Sequence, residues 1–155
     1  MSKPEAVFDY HDADGILRYQ VLRFPHKNFR QRNANGQWSL TGVAPLPYRL
    51  PQWIELNAVI IAEGEKDVDN LWSYGLPATT NSGGTSWPKE INKYFNAMHV
   101  TIFPDNDKPG IKRALSIAEN LEVVAASVRI FKIPANVPHK FDATDWLNSF
   151  DSDRK

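Results

Sequence analysis

Two apolar runs in this sequence end in acidic residues. One run, VIIA, is followed by EGEKD (residues 63–67), and the other, HVTIF, is followed by PDND (residues 104–107). Several carboxylates within a few ångströms repel one another, so proton uptake or a cation must offset the repulsion. Mg²⁺ prefers oxygen ligands and binds through a few carboxylates plus waters and phosphates. If the two tips meet, Glu63, Asp105 and Asp107 are predicted to form a catalytic metal site.

The same acids have a second interpretation as helix N-terminal residues. The helix macrodipole favours negative charge in the first turn of a helix. For either tip alone, capping and metal binding explain the residues equally well. The recurrence of the pattern at two strand ends favours the metal site.

A parallel sheet is the element that would bring the tips together. From residue 58, strand-like runs alternate with helical patterns, which predicts a mostly parallel α/β sheet with helices on both faces. Ligands of such sheets bind beyond the carboxyl ends of the strands. The acids after both strands should therefore share one edge. The long predicted helix KPGIKRALSIAENLEVVA would bury a stripe of Ile111, Leu115, Ala118 and Leu121.

The first part of the chain has a different pattern. Asp14-Gly15 and Asn35-Gly36 are hairpin signals, and they predict strands in AVFDY, ILRYQVLRF and QWSLTG. We therefore expect a β-hairpin-rich N-terminal subdomain in residues 1–56. The parallel sheet would occupy residues 57–150, followed by a short tail in residues 151–155.

Composition narrows the classes of function. The chain has 155 residues, 42% of them hydrophobic, a formal net charge of zero and no cysteine. Disulfides and thiolate zinc sites are excluded, and zero net charge argues against strong non-specific nucleic-acid binding by the whole surface. No leader-like stretch and no bilayer-spanning run is present, which predicts a cytoplasmic protein without a membrane partner.

A basic cluster lies within RFPHKNFRQR, where cations alternate with aromatic residues. Lys27, Arg30 and Arg32 are its candidate binding residues. Their charge and the nearby rings suit a single-stranded template or the triphosphate of a nucleotide. A solvated hairpin surface explains the same residues without a function.

The motifs AEGEKD and PDNDKPG resemble, in order and separation, the two signature motifs of the Toprim domain. That resemblance covers about residues 57–150 and implies a Rossmann-like fold. It implies Glu63 as metal ligand or general acid/base, and Asp105 and Asp107 as magnesium ligands. Gly64 would allow close backbone approach, and Asp67 would support the metal cluster.

Three further stretches resemble the primase branch of that family. NSGGTSW would offer the backbone of Gly84 and Thr85 to a phosphate, although an ordinary turn explains it equally well. KFDATDWL would supply Asp142 as an outer metal ligand, with Thr144 where relatives often carry a second acid; a helix-capping role for Asp142 is an equal alternative. DNDKPGIKRA resembles the primase helix start. Lys66 and Lys108, beside the two tips, complete the predicted nucleotide and DNA contacts.

The resemblance implies a primase-type catalytic core. It would use Mg²⁺, or Mn²⁺ as the alternative, to join nucleoside triphosphates into RNA primers on single-stranded DNA during replication. A replicative helicase or a zinc-binding domain, in the full-length protein or in trans, would be its partner. The alternatives are a Toprim metal-dependent nuclease and a non-catalytic module that binds nucleic acid or nucleotides.

Overall fold

The protein contains two sheets, as seen in a computed structural model that describes residues 2–82 and 86–152. The N-terminal sheet is antiparallel in the order β1-β2-β3, and the second sheet is parallel in the order β5-β4-β6-β7. The strands are β1 (Ala6–His11), β2 (Leu17–Phe24), β3 (Asn28–Asn33), β4 (Ala58–Ile61), β5 (Ala78–Thr79), β6 (His99–Ile102) and β7 (Ser127–Ile130). The α-helices are α1 (Leu50–Trp53), α2 (Glu65–Ser73), α3 (Lys108–Leu121) and α4 (Ala143–Ser152). Pro25–Lys27 and Lys89–Phe95 are 3₁₀ helices.

The first predicted hairpin is present and the second is displaced. Asp12 Oδ1 accepts hydrogen bonds from the backbone of Asp14 and Ile16, which closes the turn between β1 and β2. The next connection is at Pro25–Lys27, and QWSLTG contains no strand, so that prediction is wrong. Trp38 instead packs against Phe24, with ring centroids 6.5 Å apart.

The buried stripe of α3 also differs from the prediction. Its buried residues are Gly110, Ala114, Ile117 and Leu121, whereas Ile111 and Leu115 are 41% and 53% exposed. The reason is that α3 approaches the sheet edge through Gly110, which has no side chain to keep the helix away. The stripe therefore starts one residue earlier than the large apolar residues suggest.

One hydrophobic cluster joins the two sheets. Tyr10 and Tyr19 of the N-terminal sheet stack 4.6 Å apart and belong to the same buried cluster as Trp53, Ile61 and Ile102. The boundary at residue 56 thus lies between two sheets that share a core, and the division into folding units stays a prediction. No helix of the described ranges combines the length and the apolar character needed to cross a bilayer.

Candidate metal centre

The two acidic tips follow neighbouring strands. Strands β4 and β6 pair in parallel, with Ile61 opposite Ile102, so both chains leave the sheet at the same edge. Glu63 and Asp105 come two and three residues later, and their carboxyl groups are hydrogen-bonded to each other. The structure therefore brings together the two acids that the sequence places after separate strands.

An acidic cluster of three aspartates lies at this edge of the sheet, formed by Asp67, Asp105 and Asp142. Each of these carboxylates offers an oxygen, and the three oxygens lie within 4.8 Å of one another. Asp67 is in the first turn of α2. Backbone hydrogen bonds between Asn106 and the segment before α4 hold Asp142 beside the other two acids. They run from Asn106 N to Phe141 O (2.8 Å) and from Lys140 N to Asn106 O (2.9 Å).

Neighbouring hydrogen bonds orient two of these carboxylates. Thr144 Oγ1 donates to Asp67 Oδ1 over 2.5 Å, and Asn70 Nδ2 donates to Thr144 Oγ1 over 2.9 Å. Asp142 Oδ1 accepts from Asp145 N at 2.8 Å, while Asp142 N donates to Asp145 Oδ2 at 3.1 Å. Asp142 thus caps the start of α4 and also belongs to the acidic cluster, so its two predicted roles are compatible.

Asp107 occupies a different position from the other acids. It is the N-cap of α3, and its Oδ1 accepts a 2.6 Å hydrogen bond from Gly110 N. It lies outside the three-acid cluster among the described residues. The capping interpretation therefore describes this residue in the structure, and its role as a magnesium ligand stays a prediction.

The carboxyl groups disfavour one another's charge. Burial, the hydrogen bond with Glu63 and the nearby charges of Glu63, Asp67 and Asp142 raise the pKa of Asp105 to about 9. Burial and neighbouring acids raise the pKa of Asp142 to about 6, and burial raises that of Asp67 above its ordinary value. A divalent cation would offset this repulsion, and hard oxygen donors are what Mg²⁺ prefers. The residues present fit a divalent ion of this kind.

A cavity of about 340 Å³ faces the acids from the N-terminal sheet. The sheet contributes Arg23 and Phe29 to this cavity, and the 3₁₀ helix between β2 and β3 contributes Lys27. The other wall contains the predicted residues Glu63, Gly64, Lys66, Asp67 and Asp105. We call this space the inter-sheet cavity, because cations and a ring of the N-terminal part face carboxylates of the parallel sheet across it.

Arg30 and Arg32 lie on the other face of the N-terminal sheet. Arg30 pairs with Leu22, the neighbour of Arg23, and adjacent strand residues point to opposite faces. Both guanidinium groups lie over the ring of Trp38, at 4.2 and 5.7 Å from its centroid. Lys27 therefore faces the cavity, whereas the other two predicted basic residues, Arg30 and Arg32, lie on the opposite surface with Trp38.

The remaining predicted contacts lie elsewhere. Lys108 lines a separate groove on α3 with Ile111 and Leu115. Gly84 and Thr85, with Gly83, fall outside the described residues.

Sequence reasoning missed Arg113. Its guanidinium Nη2 donates to Asn81 Oδ1 over 2.5 Å and lies 3.4 Å from Thr80 Oγ1. Arg113 and Glu63 line a second cavity, of about 380 Å³. The available signal was its spacing of one helical turn from Gly110, which places it on the face of α3 that approaches the acids.

Comparisons with known proteins agree with this geometry. The profile of the Toprim-like family matches residues 60–147, more than half of the chain. The DNA primase DnaG of Methanoregula boonei is 38% identical over 81 residues, which is 51% of this chain and 20% of that protein. That of Methanocorpusculum labreanum is 31% identical over 129 residues, 81% of this chain and 28% of the relative. The chain thus spans less than a third of the length of these two relatives.

Among solved structures, the primase fragment of the bacteriophage T7 primase-helicase protein superposes with a TM-score of 0.70 at 25% identity. The match covers 96% of this chain and 59% of that fragment. The similarity therefore includes the N-terminal sheet as well as the segment that the family profile matches. The chain belongs to the Toprim-like family, and its similarity lies on the primase branch of that family.

Proposed function

We propose that this chain is a primase-type catalytic core, which joins nucleoside triphosphates into RNA primers on single-stranded DNA. The observation that carries the proposal is the position of the acidic cluster. Its carboxylates meet at one sheet edge, and two of them, Asp67 and Asp105, face the cations Arg23 and Lys27 across the inter-sheet cavity, with Lys66 on the acidic wall. Carboxylates alone could serve many metal sites, but carboxylates opposite cations suit a metal-bound polyphosphate.

The acids and the cations have separate parts in this proposal. Asp67, Asp105 and Asp142 would hold the ion, with Asp107 as a further candidate ligand from its motif. A bound divalent ion would supply stabilisation for the charge that develops on the phosphates. Glu63 shares a hydrogen bond with Asp105 and lines the cavity, so it would hold the proton that the attacking 3′-hydroxyl releases.

The cavity wall would bind the nucleotide. Arg23, Lys27 and Lys66 would pair with phosphate oxygens. Phe29, which is 45% exposed, would offer its ring to the base. The Gly64 backbone, at the N-terminus of α2, would approach the phosphates closely because it has no side chain.

The template would contact a second surface. Arg30 and Arg32 are half-buried and lie over the exposed ring of Trp38. This group of cations on an aromatic ring suits single-stranded DNA by charge and stacking. Net charge is zero, so we expect the isolated chain to bind DNA weakly. A helicase or a zinc-binding domain, in the same protein or in trans, would supply the remaining affinity.

A primer-synthesis assay tests the proposal. Single-stranded DNA, labelled ribonucleotides and Mg²⁺ or Mn²⁺ would be incubated with the native chain, with Asp105→Asn and with the control Asp14→Asn, whose residue is an exposed turn acid. We expect metal-dependent oligoribonucleotides from the native chain and the control, and none from Asp105→Asn. Metal-dependent degradation of the template would indicate a nuclease instead. Neither product, with Asp105-dependent metal binding, would indicate a binding module.

A further inference from the structure

Arg113 is a largely buried cation beside the acidic cluster. Its side chain lies largely out of solvent, and the charges of Glu63, Asp105 and Glu65 all act on it. Arginine keeps its charge under all ordinary conditions. The acids therefore have a permanent positive neighbour that belongs to the protein itself.

The position of α3 and the hydrogen bonds of the guanidinium together fix this cation in place. The helix that carries it comes so close to the acids that a Cβ on Gly110 would lie 3.0 Å from Glu63 Oε1. At its other end, the guanidinium is bonded to Asn81 and Thr80, directly after β5. Its Nε is buried and has no hydrogen-bond partner within the described part of the chain. The group thus cannot move away from the acids without losing these bonds.

A fixed cation of this kind lowers the attraction of the acids for a second cation. We propose that Arg113 is a resident counter-cation of the metal centre, and that it weakens the binding of Mg²⁺ to the free protein. This inference rests on the proposed metal site. The ion would then bind more readily together with a triphosphate, whose negative charges compensate for the guanidinium.

Lys112 provides a matched comparison. It is the next residue on α3 and lines the same cavity beside Glu63, but its side chain is exposed. Water and salt screen an exposed charge much more strongly than a buried one. If burial gives Arg113 its effect, the neighbouring lysine should have little influence on the ion.

Isothermal titration of the nucleotide-free protein with MgCl₂ tests the proposal. Arg113→Gln removes the charge and keeps a donor for Asn81, Arg113→Lys keeps the charge, and Lys112→Gln is the exposed control. We expect Arg113→Gln to bind Mg²⁺ roughly tenfold more tightly than the native protein. The Arg113→Lys and Lys112→Gln proteins should stay within about twofold of native, because one retains the buried charge and the other loses only a screened one.

Each other outcome has a defined meaning. Circular dichroism identifies folded variants, and Arg113→Met is a second uncharged variant in case glutamine destabilises the fold. Unchanged affinity in the folded uncharged variant, or equal tightening in Lys112→Gln, would overturn the role of Arg113. If Asp105→Asn still loses Mg²⁺ binding in that case, the metal centre stands without it. Mg²⁺ binding that is unaffected by Asp105→Asn would overturn both proposals.

Discussion

Tyr10 donates a 2.9 Å hydrogen bond to the buried carboxylate of Glu65. The tyrosine belongs to β1, and the glutamate is the first residue of α2, two residues before Asp67. This bond therefore attaches the N-terminal sheet to the helix that supplies Asp67 to the acidic cluster. It also places the wall that carries Lys27 opposite the acids.

Tyr10→Phe should destabilise the protein by about 1–3 kcal/mol, because a buried carboxylate loses a hydrogen bond that the ring of phenylalanine cannot replace. Urea denaturation measures the change. Tyr74→Phe is the matched control, since Tyr74 is 45% exposed and donates to Asp151 at the surface. A loss of stability no larger than that of the control would contradict this role for Tyr10.

Asp105→Asn and Asp107→Asn should differ in their effect on Mg²⁺ binding. Asparagine is as good an N-cap as aspartate, so Asp107→Asn should preserve the start of α3. Asp105 lies in the three-acid cluster, and we expect its substitution to weaken Mg²⁺ binding more than ten-fold, roughly the loss of one charged ligand. Calorimetric titration compares them. An equal loss in Asp107→Asn would establish Asp107 as a ligand, as its motif predicts.

The stability of the metal-free protein should fall as pH rises. The pKa of Asp105 is raised to about 9 and that of Asp142 to about 6, whereas an unfolded aspartate titrates near about 4. The folded protein therefore retains protons that the unfolded chain has lost. The resulting stabilisation is present below pH of about 4 and disappears as pH rises toward about 9.

Thermal denaturation across this pH range, in EDTA and in Mg²⁺, measures the effect. Bound Mg²⁺ replaces the protons, so its stabilisation should grow with pH. Asp105→Asn removes one titrating group and should flatten the decline in EDTA. A melting temperature in EDTA that rises with pH, in the native chain relative to this variant, would contradict the assignment.

Gly110→Ala should destabilise the protein, although a glycine-to-alanine substitution within a helix usually stabilises it. Within a helix, alanine is more favourable than glycine by about 1 kcal/mol. At this position the new Cβ would lie 2.5 Å from Asp105 O and 2.8 Å from Asp107 Oδ1. We expect a net loss of about 1–3 kcal/mol from this overpacking and weaker Mg²⁺ binding. Ser116→Ala, exposed on the same helix, is the control, and a stabilised Gly110→Ala protein would refute the close approach.

Lys27→Gly should weaken the binding of a nucleoside triphosphate without changing the stability of the fold. Lys27 and His26 both have positive φ, 57° and 63°, a conformation that glycine adopts without steric strain, which offsets the larger entropy that glycine loses on folding. We therefore expect unchanged stability but weaker binding of a fluorescent nucleoside triphosphate. His26 has a matching backbone conformation and does not line the inter-sheet cavity, so the His26→Gly protein should bind the nucleotide normally. Equal binding by both variants would remove Lys27 from the site.

The sequence predicted the meeting of Glu63 and Asp105 because it depends on local pattern. Continuous apolar runs indicate buried parallel strands, and parallel strands end at one edge. The same reasoning could not predict why Asp142 lies in the acidic cluster. Its position depends on backbone hydrogen bonds between Asn106 and residues more than thirty positions later in the chain. A contact between such distant residues leaves no periodic pattern in the sequence.

Two errors have the same physical origin. Ile111 and Leu115 look like core residues by type, but the core face of α3 is set by the approach of Gly110 to Asp105. Trp38 looks like part of a strand, but it covers Phe24 and supports two arginines. In each case a tertiary contact outweighs the local preference of the sequence.

The shared core has a consequence for how this protein can vary. The family match begins at residue 60, but the buried cluster that supports the acids includes Tyr10, Tyr19 and Trp53. Mutational tolerance should therefore follow the cluster and not the limits of the match. A laboratory selection that randomised only residues 60–147 would leave out part of the structure that holds the acidic cluster in place.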